Sequence, residues 1–282
     1  MATLFRHEYH DPSGHLDIEH IKRRGHFSMT ANHFHNYYEL YYLCEGDRMY
    51  FIRDRAYRVR AGDLVFIDRH VLHKTSDTGM PDHERIIVNI YPEWIEAAYS
   101  DHADLLLAPF RSELPVLTLP PQQLAAAKRI ISEMSGEMQR QEPGCSISLR
   151  HAVIQLLLLS ARSLAAGGPA QMEPVSPIHG KITKVVRFLN DHYAEPLALT
   201  RVAERFSMSP YYLSRIFKST TGFAFSEYIN LVRLKEAQRL LRETEDSVTE
   251  IAWRSGFENF SHFGKAFKKM AGVSPRAYRN LQ

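Results

Sequence analysis

An internal repeat near the C-terminal end constrains the fold of this chain more than any other feature. Phe217-Lys218-x-x-x-Gly222 recurs fifty residues on as Phe267-Lys268-x-x-x-Gly272, and Val202-Ala203-x-Arg205 recurs forty-nine residues on as Ile251-Ala252-x-Arg254. Each copy reads as a short helix, a tight turn and a second helix. In the first, Ser209 supplies an N-cap acceptor before Pro210, whose missing N–H costs nothing at the first helical position. In the second, Ser247-x-x-Glu250 is a capping box, Gly256 suits a left-handed turn, and Asn259 caps the next helix. Small Ala203 and Ala252 fall where two helices would cross closely. Each second helix then divides into two faces. Leu213 and Phe217, and Phe263, Phe267 and Met270, point inward. Tyr211, Ser214, Arg215 and Lys218, and Ser261, Gly264, Lys265 and Lys268, point outward, flanked by Tyr212 and His262.

Charge gives the repeat a partner. The whole chain of 282 residues carries a net charge of only +3, but the two parts differ in sign. Residues 178–282 hold 17 Lys and Arg against 10 Asp and Glu, a net of +7; residues 1–177 hold 18 against 22, a net of −4, with 12 of the 15 histidines. The Gly167-Gly168-Pro169 to Pro177 stretch between them reads as a linker. Arg and Lys on a groove-facing helix reach guanine O6 and N7, hydroxyls serve several bases, and an aromatic edge packs on a thymine methyl. Lys218 and Lys268, at the far helix ends, suit phosphates. From Ser226 to about Leu241 runs one helix of roughly 24 Å at 1.5 Å per residue. It is a strut able to hold two reading helices in successive major grooves, about 34 Å apart. A plain helical bundle with a solvated basic face would account for one such unit, but not for two with matched caps and ends.

The segment Ile251-Ala252-Trp253-Arg254-Ser255-Gly256-Phe257, with Phe263-Gly264-Lys265-Ala266-Phe267-Lys268 and Gly272-Val273-Ser274-Pro275-Arg276-Ala277-Tyr278-Arg279, resembles the signature of AraC/XylS-type transcription regulators. Ser209-Pro210-x-x-Leu213-Ser214-Arg215-x-Phe217-Lys218 and Arg233-x-x-x-Ala237-x-x-Leu240-Leu241 match its other landmarks. The resemblance implies base reading by Tyr211, Ser214 and Arg215 in the first unit and by Ser261, His262 and Lys265 in the second. Its implied partners are double-stranded promoter or operator DNA, a small-molecule effector, a second copy of the chain, and RNA polymerase if the protein activates.

The first part reads as an α+β arrangement. Short β-branched or aromatic segments such as 39–44, 49–52, 64–67 and 85–91 alternate with turns at 45–48, 54–55 and 61–63 between Leu16 and Tyr91, as in a sandwich or small barrel. Helical text starts at Trp94, and two amphipathic helices follow: one opened by Pro120-Pro121 and running to about Gln141, the other spanning about Ser146 to Ala165. Such a pair either packs on the strands or forms a dimer seam. The expected layout is therefore a cupin-like effector-binding barrel over 1–92, a helical segment over 93–166 that packs on the barrel and serves dimerisation, a linker over 167–177 and an all-α DNA-binding domain with two helix-turn-helix units over 178–282.

The most chemical string here is His33-x-His35-x-x-x-Glu39, which puts three ligating groups on one strand face with Tyr37 and Tyr41. Gly62-x5-Asp68-x-His70-x-x-His73 offers another imidazole. The two strings are similar to the paired motifs of cupin barrels, departing from them at Asp68 and His70, where Pro and Gly are usual. By that resemblance His33, His35, Glu39 and His73 form a ligand set for a divalent metal. The leading expectation is a metal-free effector site of His33, His35, Tyr37, Glu39, Tyr41 and His73, suited to a sugar or another small polar metabolite, with no cofactor required. A metal-dependent cupin enzyme tethered to DNA is the runner-up, though no further general base is evident, and the chain is expected not to be an enzyme. His7, His10, His15, His20 and His26 are irregularly spaced and expected in solvent. Cys44 and Cys145 make no disulfide framework, the N-terminus lacks a signal-peptide core, and the run from Ala152 to Leu159 falls short of the ~20 residues of a membrane span. A cytoplasmic protein with no membrane partner is expected.

Overall fold

The computed structural model describes residues 2–27, 35–79, 81–167 and 177–280, which form two compact units that part between residues 174 and 175. The first carries nine strands among the described residues: β1 (Ala2–His10), β2 (Leu16–Arg24), β3 (Tyr38–Glu45), β4 (Asp47–Ile52), β5 (Arg55–Arg60), β6 (Leu64–Ile67), β7 (His73–Asp77), β8 (His83–Ile90) and β9 (Val116–Leu117). They form a six-stranded sheet in the order β1-β2-β8-β3-β6-β9 and a three-stranded sheet in the order β5-β4-β7.

Alternation along β3 shows how the layers are built. Tyr38, Leu40 and Tyr42 join Leu16, Ile18, Ile86, Val88 and Ile90 in a core shared with the helices. Tyr41 and Leu43, one residue out of phase, meet Tyr50, Ile52, Val59 and Val65 between the two sheets. Four helices cover the outer face: α1 (Pro92–Ala98), α2 (Ala103–Arg111), α3 (Pro121–Arg140) and α4 (Cys145–Ala165). Ile131, Met134 and Met138 of α3, and Leu149, Val153, Leu156 and Leu157 of α4, are buried in that core. Each such side chain contributes about 1.5–3 kcal/mol. The amphipathic faces of the pair are thus covered within this unit.

Three details differ from the sequence reading. Strand structure begins at Ala2, not Leu16, because β1 pairs with β2 along most of its length. The helical segment also contains α2, too short for its period to show. Finally, the turn expected at 45–48 does not join two paired strands: β3 and β4 lie in different sheets, and the chain turns a corner there. Gly46 has φ 101°, and a Cβ on it would sit 2.6 Å from the Asp82 carbonyl oxygen, so the corner requires glycine.

The second unit holds α5 (Pro177–Asp191), α6 (Leu199–Arg205), α7 (Pro210–Thr221), α8 (Phe225–Glu243), α9 (Val248–Arg254), α10 (Phe260–Ala271) and α11 (Pro275–Asn280). The expected N-cap acceptors form, with the Ser247 half of the Ser247–Glu250 capping box. Ser209 accepts from Tyr212 N, Ser247 from Glu250 N and Asn259 from His262 N, while Gly222 and Gly272 close α7 and α10 in the left-handed region. The N-terminal part of α8 packs on the first helix-turn-helix, with Phe225 and Tyr228 each 5.5 Å from Phe217 between ring centres. Its C-terminal part packs on the second, Leu234, Ala237, Leu240 and Leu241 meeting Ile251, Ala252, Phe263 and Phe267. Among the described residues no helix is long and apolar enough to cross a membrane.

Candidate effector pocket and nucleic-acid interface

The interior between the two sheets brings together three of the four residues of the expected ligand set; His33 lies outside the described residues. His35 and Tyr37 stand just before β3 and not on it, their rings stacked 4.0 Å apart at 2°. The His70 N–H donates to the His35 carbonyl oxygen at 2.7 Å, and His70 takes φ 58°, the left-handed geometry for which cupin loops use glycine. This holds the two strings side by side. His35 Nε2 lies 3.5 Å from Glu39 Oε2 and His73 Nε2 3.8 Å from it, with all three residues buried. Each Nδ1 faces a carbonyl oxygen at 2.8 Å, of Tyr37 for His35 and of Val71 for His73. A carbonyl only accepts, so each Nδ1 carries the proton, and both Nε2 atoms converge on the carboxylate. Burial alone would raise the Glu39 carboxyl, but the hydrogen bonds and charges of the two imidazoles hold it well below its ordinary range. Burial lowers His73, and Glu39 more than reverses this, raising it. The Tyr50 hydroxyl donates to Glu39 Oε1 at 3.3 Å.

Tyr41 is wholly buried, its ring 5.0 Å from that of Tyr50, and its hydroxyl, pushed up to about 12 chiefly by burial, has no hydrogen-bond partner among the described residues. It leads to a group that sequence reasoning missed. Strand phase aims Arg23 of β2, Arg48 of β4 and Arg85 of β8 into the same interior. The Arg85 guanidinium lies 6.0 Å from the Tyr41 ring centre and binds Glu19 at 2.6 Å. Those of Arg23 and Arg48 lie 4.0 and 5.9 Å from the Phe27 ring centre. Arg48 donates to the Phe27 carbonyl oxygen and to Thr75 Oγ1. His83 beside them is brought down to about 4, by burial first and then by the charges of Arg48, Arg85 and Arg23. The available signal was an arginine in phase with apolar partners on β4 and β8, which has meaning only once the pairing is known.

Two other features lie elsewhere. His20, expected in solvent, is buried on the helix side of the sheet near Cys44 and Glu84. Its Nδ1 meets Ser135 Oγ at 2.8 Å and its Nε2 meets Glu84 at 2.9 Å, so both ring nitrogens are engaged. A cleft of about 430 Å³ lined by Tyr9, His10, Gln141 and Cys145 contains none of the expected effector residues.

On the second unit every expected base- or phosphate-facing residue is exposed: Tyr211, Tyr212, Ser214, Arg215 and Lys218 on α7, and Ser261, His262, Lys265 and Lys268 on α10. Tyr211 is 78% exposed, uncommon for so large an aromatic side chain without a partner. Gly264 is half-buried, and Met270 only partly buried, at the edge of the core. Leu213, Phe217, Phe263 and Phe267 are fully buried and fix which faces turn outward.

Two strand layers enclosing a cluster of buried polar and charged side chains, joined in one chain to a basic pair of helix-turn-helix units, define a ligand-responsive DNA-binding regulator. Comparison with known proteins agrees. Residues 15–157 match the AraC-like ligand binding domain, and residues 202–281 match a helix-turn-helix domain. The HTH-type transcriptional activator RhaS of Klebsiella pneumoniae (strain 342) is 28% identical over 265 residues, covering 89% of this chain and 88% of the relative. RhaS of Enterobacter sp. (strain 638) is 26% identical over 281 residues, covering 95% and 94%. Among solved structures, the C-terminal domain of AraT, a response regulator from Geobacillus stearothermophilus, is 36% identical, covering 39% of this chain and 89% of that one, with a TM-score of 0.36. The chain belongs to the AraC family of transcription regulators. It is a regulator and not the DNA-tethered enzyme of the runner-up reading.

Proposed function

We propose that this chain is a cytoplasmic transcription activator, working as a homodimer with RNA polymerase, that reads two adjacent major grooves through α7 and α10. Its effector, a sugar or other small polar metabolite, binds between the two sheets. In this scheme 1–92 is the effector barrel, 93–166 its helical cover, 167–177 the linker and 178–282 the DNA reader. The observation that carries the reading is the matched exposure of Tyr211, Ser214 and Arg215 on α7 and Ser261, His262 and Lys265 on α10, on helices fixed by equivalent caps. The activator role is supported by the relatives, both named as activators. Effector contacts fall to His35, Tyr37, Glu39, Tyr41 and His73, with His33 as a further candidate. An effector that prefers one arrangement of the chain shifts DNA affinity by its differential binding.

Selection of duplexes from a random pool by the full-length protein tests this. The expected product is a two-part sequence with half-sites about 10 base pairs apart between centres. A pool that stays random after repeated rounds refutes it. Sedimentation of the full chain tests the dimer, and a monomer at high concentration rules it out.

A second reading is favoured by one observation, the convergence of His35 Nε2, Glu39 and His73 Nε2, whose ligating atoms all lie within 4.8 Å of one another. Two imidazoles held by carbonyls through Nδ1, with one carboxylate, suit iron, manganese or zinc, and these residues would hold such an ion, polarising a ligand oxygen there. Metal analysis of the purified protein decides: stoichiometric metal that is lost in His73→Ala supports it, and metal-free protein with intact effector response ends it.

A further inference from the structure

We propose that the effector held between the two sheets is an anion, a small polyhydroxylated carboxylate or phosphate ester whose charged group sits against Arg23, Arg48 and Arg85. This rests on reading the interior as the effector pocket and adds the charge the ligand must carry. Arg48 has 0% exposure, and among the described residues its Nη1 has no hydrogen-bond partner. The same is true of Arg85 Nη1 and of Arg23 Nε and Nη1. No ion pair within 4 Å forms at Arg23 or Arg48 among the described residues. Arg85 has Glu19 alone, and Glu19 is shared with Arg6 at 2.8 Å. Asp77, the carboxylate toward Arg48, already accepts from the Gly79 N–H and meets His26.

A guanidinium buried without a counter-charge is strongly unfavourable, and three together repel one another besides. Burial first, and the neighbouring arginine charges after it, lower the proton affinities of Arg23, Arg48 and His83. An oxyanion removes the imbalance. The planar guanidinium fork matches carboxylate and phosphate oxygens two at a time, and the unpartnered Tyr41 hydroxyl adds a donor to the same chamber. Phe27 packs against the guanidiniums of Arg23 and Arg48 and limits their motion. At the other end, past Tyr41 and Tyr50, Glu39 accepts hydrogen bonds, as ligand hydroxyls require. A neutral sugar would leave Arg23 and Arg48 without a counter-charge and Arg85 with only the Glu19 it shares with Arg6; a sugar acid or sugar phosphate satisfies both ends.

The test uses the full-length protein, its variants and four ligands at one ionic strength, set with NaCl. Thermal unfolding and calorimetric titration are followed with inorganic phosphate, gluconate, glucose 6-phosphate and, as the neutral control, glucose. At least one anion is expected to raise the unfolding midpoint above the NaCl control. Arg48→Met is expected to weaken that anion tenfold or more while its ligand-free midpoint stays level or rises, because a destabilising charge has gone. If Arg48→Met does not fold, Arg85→Gln carries the same comparison. A response to phosphate compounds but not to gluconate selects the ester, and the reverse selects the carboxylate.

An anion response equal in wild type and variant places binding elsewhere, such as on the basic faces of α7 and α10, and overturns the proposal. A glucose response kept in Arg48→Met but lost in Glu39→Gln overturns the charge while leaving the interior as effector pocket. Absence of any response overturns both.

Discussion

Gly256 and Ser207 hold equivalent positions in the two helix-turn-helix units, and the backbone asks the same left-handed turn of both, φ 86° and 53°. The neighbouring hydrogen bonds are also equivalent, Met208 N to Ala203 O at 2.9 Å and Phe257 N to Ala252 O at 3.0 Å. The surroundings differ. A Cβ on Gly256 would meet the Tyr193 carbonyl oxygen at 2.7 Å and Ala194 Cα at 2.9 Å, in a segment fixed by Arg233, which donates to the Tyr193 carbonyl at 2.8 Å. Gly256→Ala therefore combines an unfavourable φ with a backbone clash, and a loss of about 2 kcal/mol or more is expected in urea unfolding. Ser207→Gly relieves left-handed strain and should be neutral or stabilising by up to about 1 kcal/mol. His83 sets a pH dependence at the same scale. Its folded value, about 4, lies below the ~6.5 of an unfolded histidine, so between them the unfolded state binds more protons. The urea midpoint should accordingly fall as pH drops from about 6.5 toward 4, and His83→Gln should flatten that limb.

At the scale of elements, α7 and α10 separate positioning from specificity. Arg215 and Lys265 sit on the outward faces, so replacing either by Ala should cost about 1–3 kcal/mol on a selected site and relax selection at one base position. Lys218→Ala and Lys268→Ala should weaken all duplexes about equally and reduce the salt slope by about 1 each, read by fluorescence anisotropy across salt concentrations. These helices were legible in the sequence because their determinants are local: Ser209, Ser247 and Asn259 bond to amides three residues on, and Gly222 and Gly272 end their own helices. The chamber was legible only in part. Glu39, Tyr41 and His73 could be named from spacing and resemblance, whereas Arg23, Arg48 and Arg85 could not. Their convergence depends on β8 inserting between β2 and β3 and on β4 leaving the sheet at Gly46, pairings set by distant residues. His20 was misplaced for the same reason: its partners, Glu84 and Ser135, are 64 and 115 residues away.

For the DNA-binding unit as a whole, what matters is that one helix serves both readers. α8 is 19 residues long, about 28 Å at 1.5 Å per residue, and its two ends are packed into the cores of the two helix-turn-helix units. Bending or stretching it would expose Leu234, Ala237, Leu240 and Leu241, all buried now. The two reading faces therefore move as one rigid piece, and the DNA must present its half-sites at a fixed spacing and on one side. Inserting five base pairs between the half-sites of a selected operator turns one to the far side of the duplex and moves it about 17 Å. Binding by the full chain should then fall by about 3 kcal/mol or more, to that of a lone half-site. Inserting ten base pairs restores the side but adds about 34 Å, which α8 cannot span, so affinity should stay low. Rescue by the ten-base-pair insertion in an electrophoretic mobility assay would mean that the two half-sites are read by readers joined flexibly, across the linker of two protomers, and not by α7 and α10 of one chain.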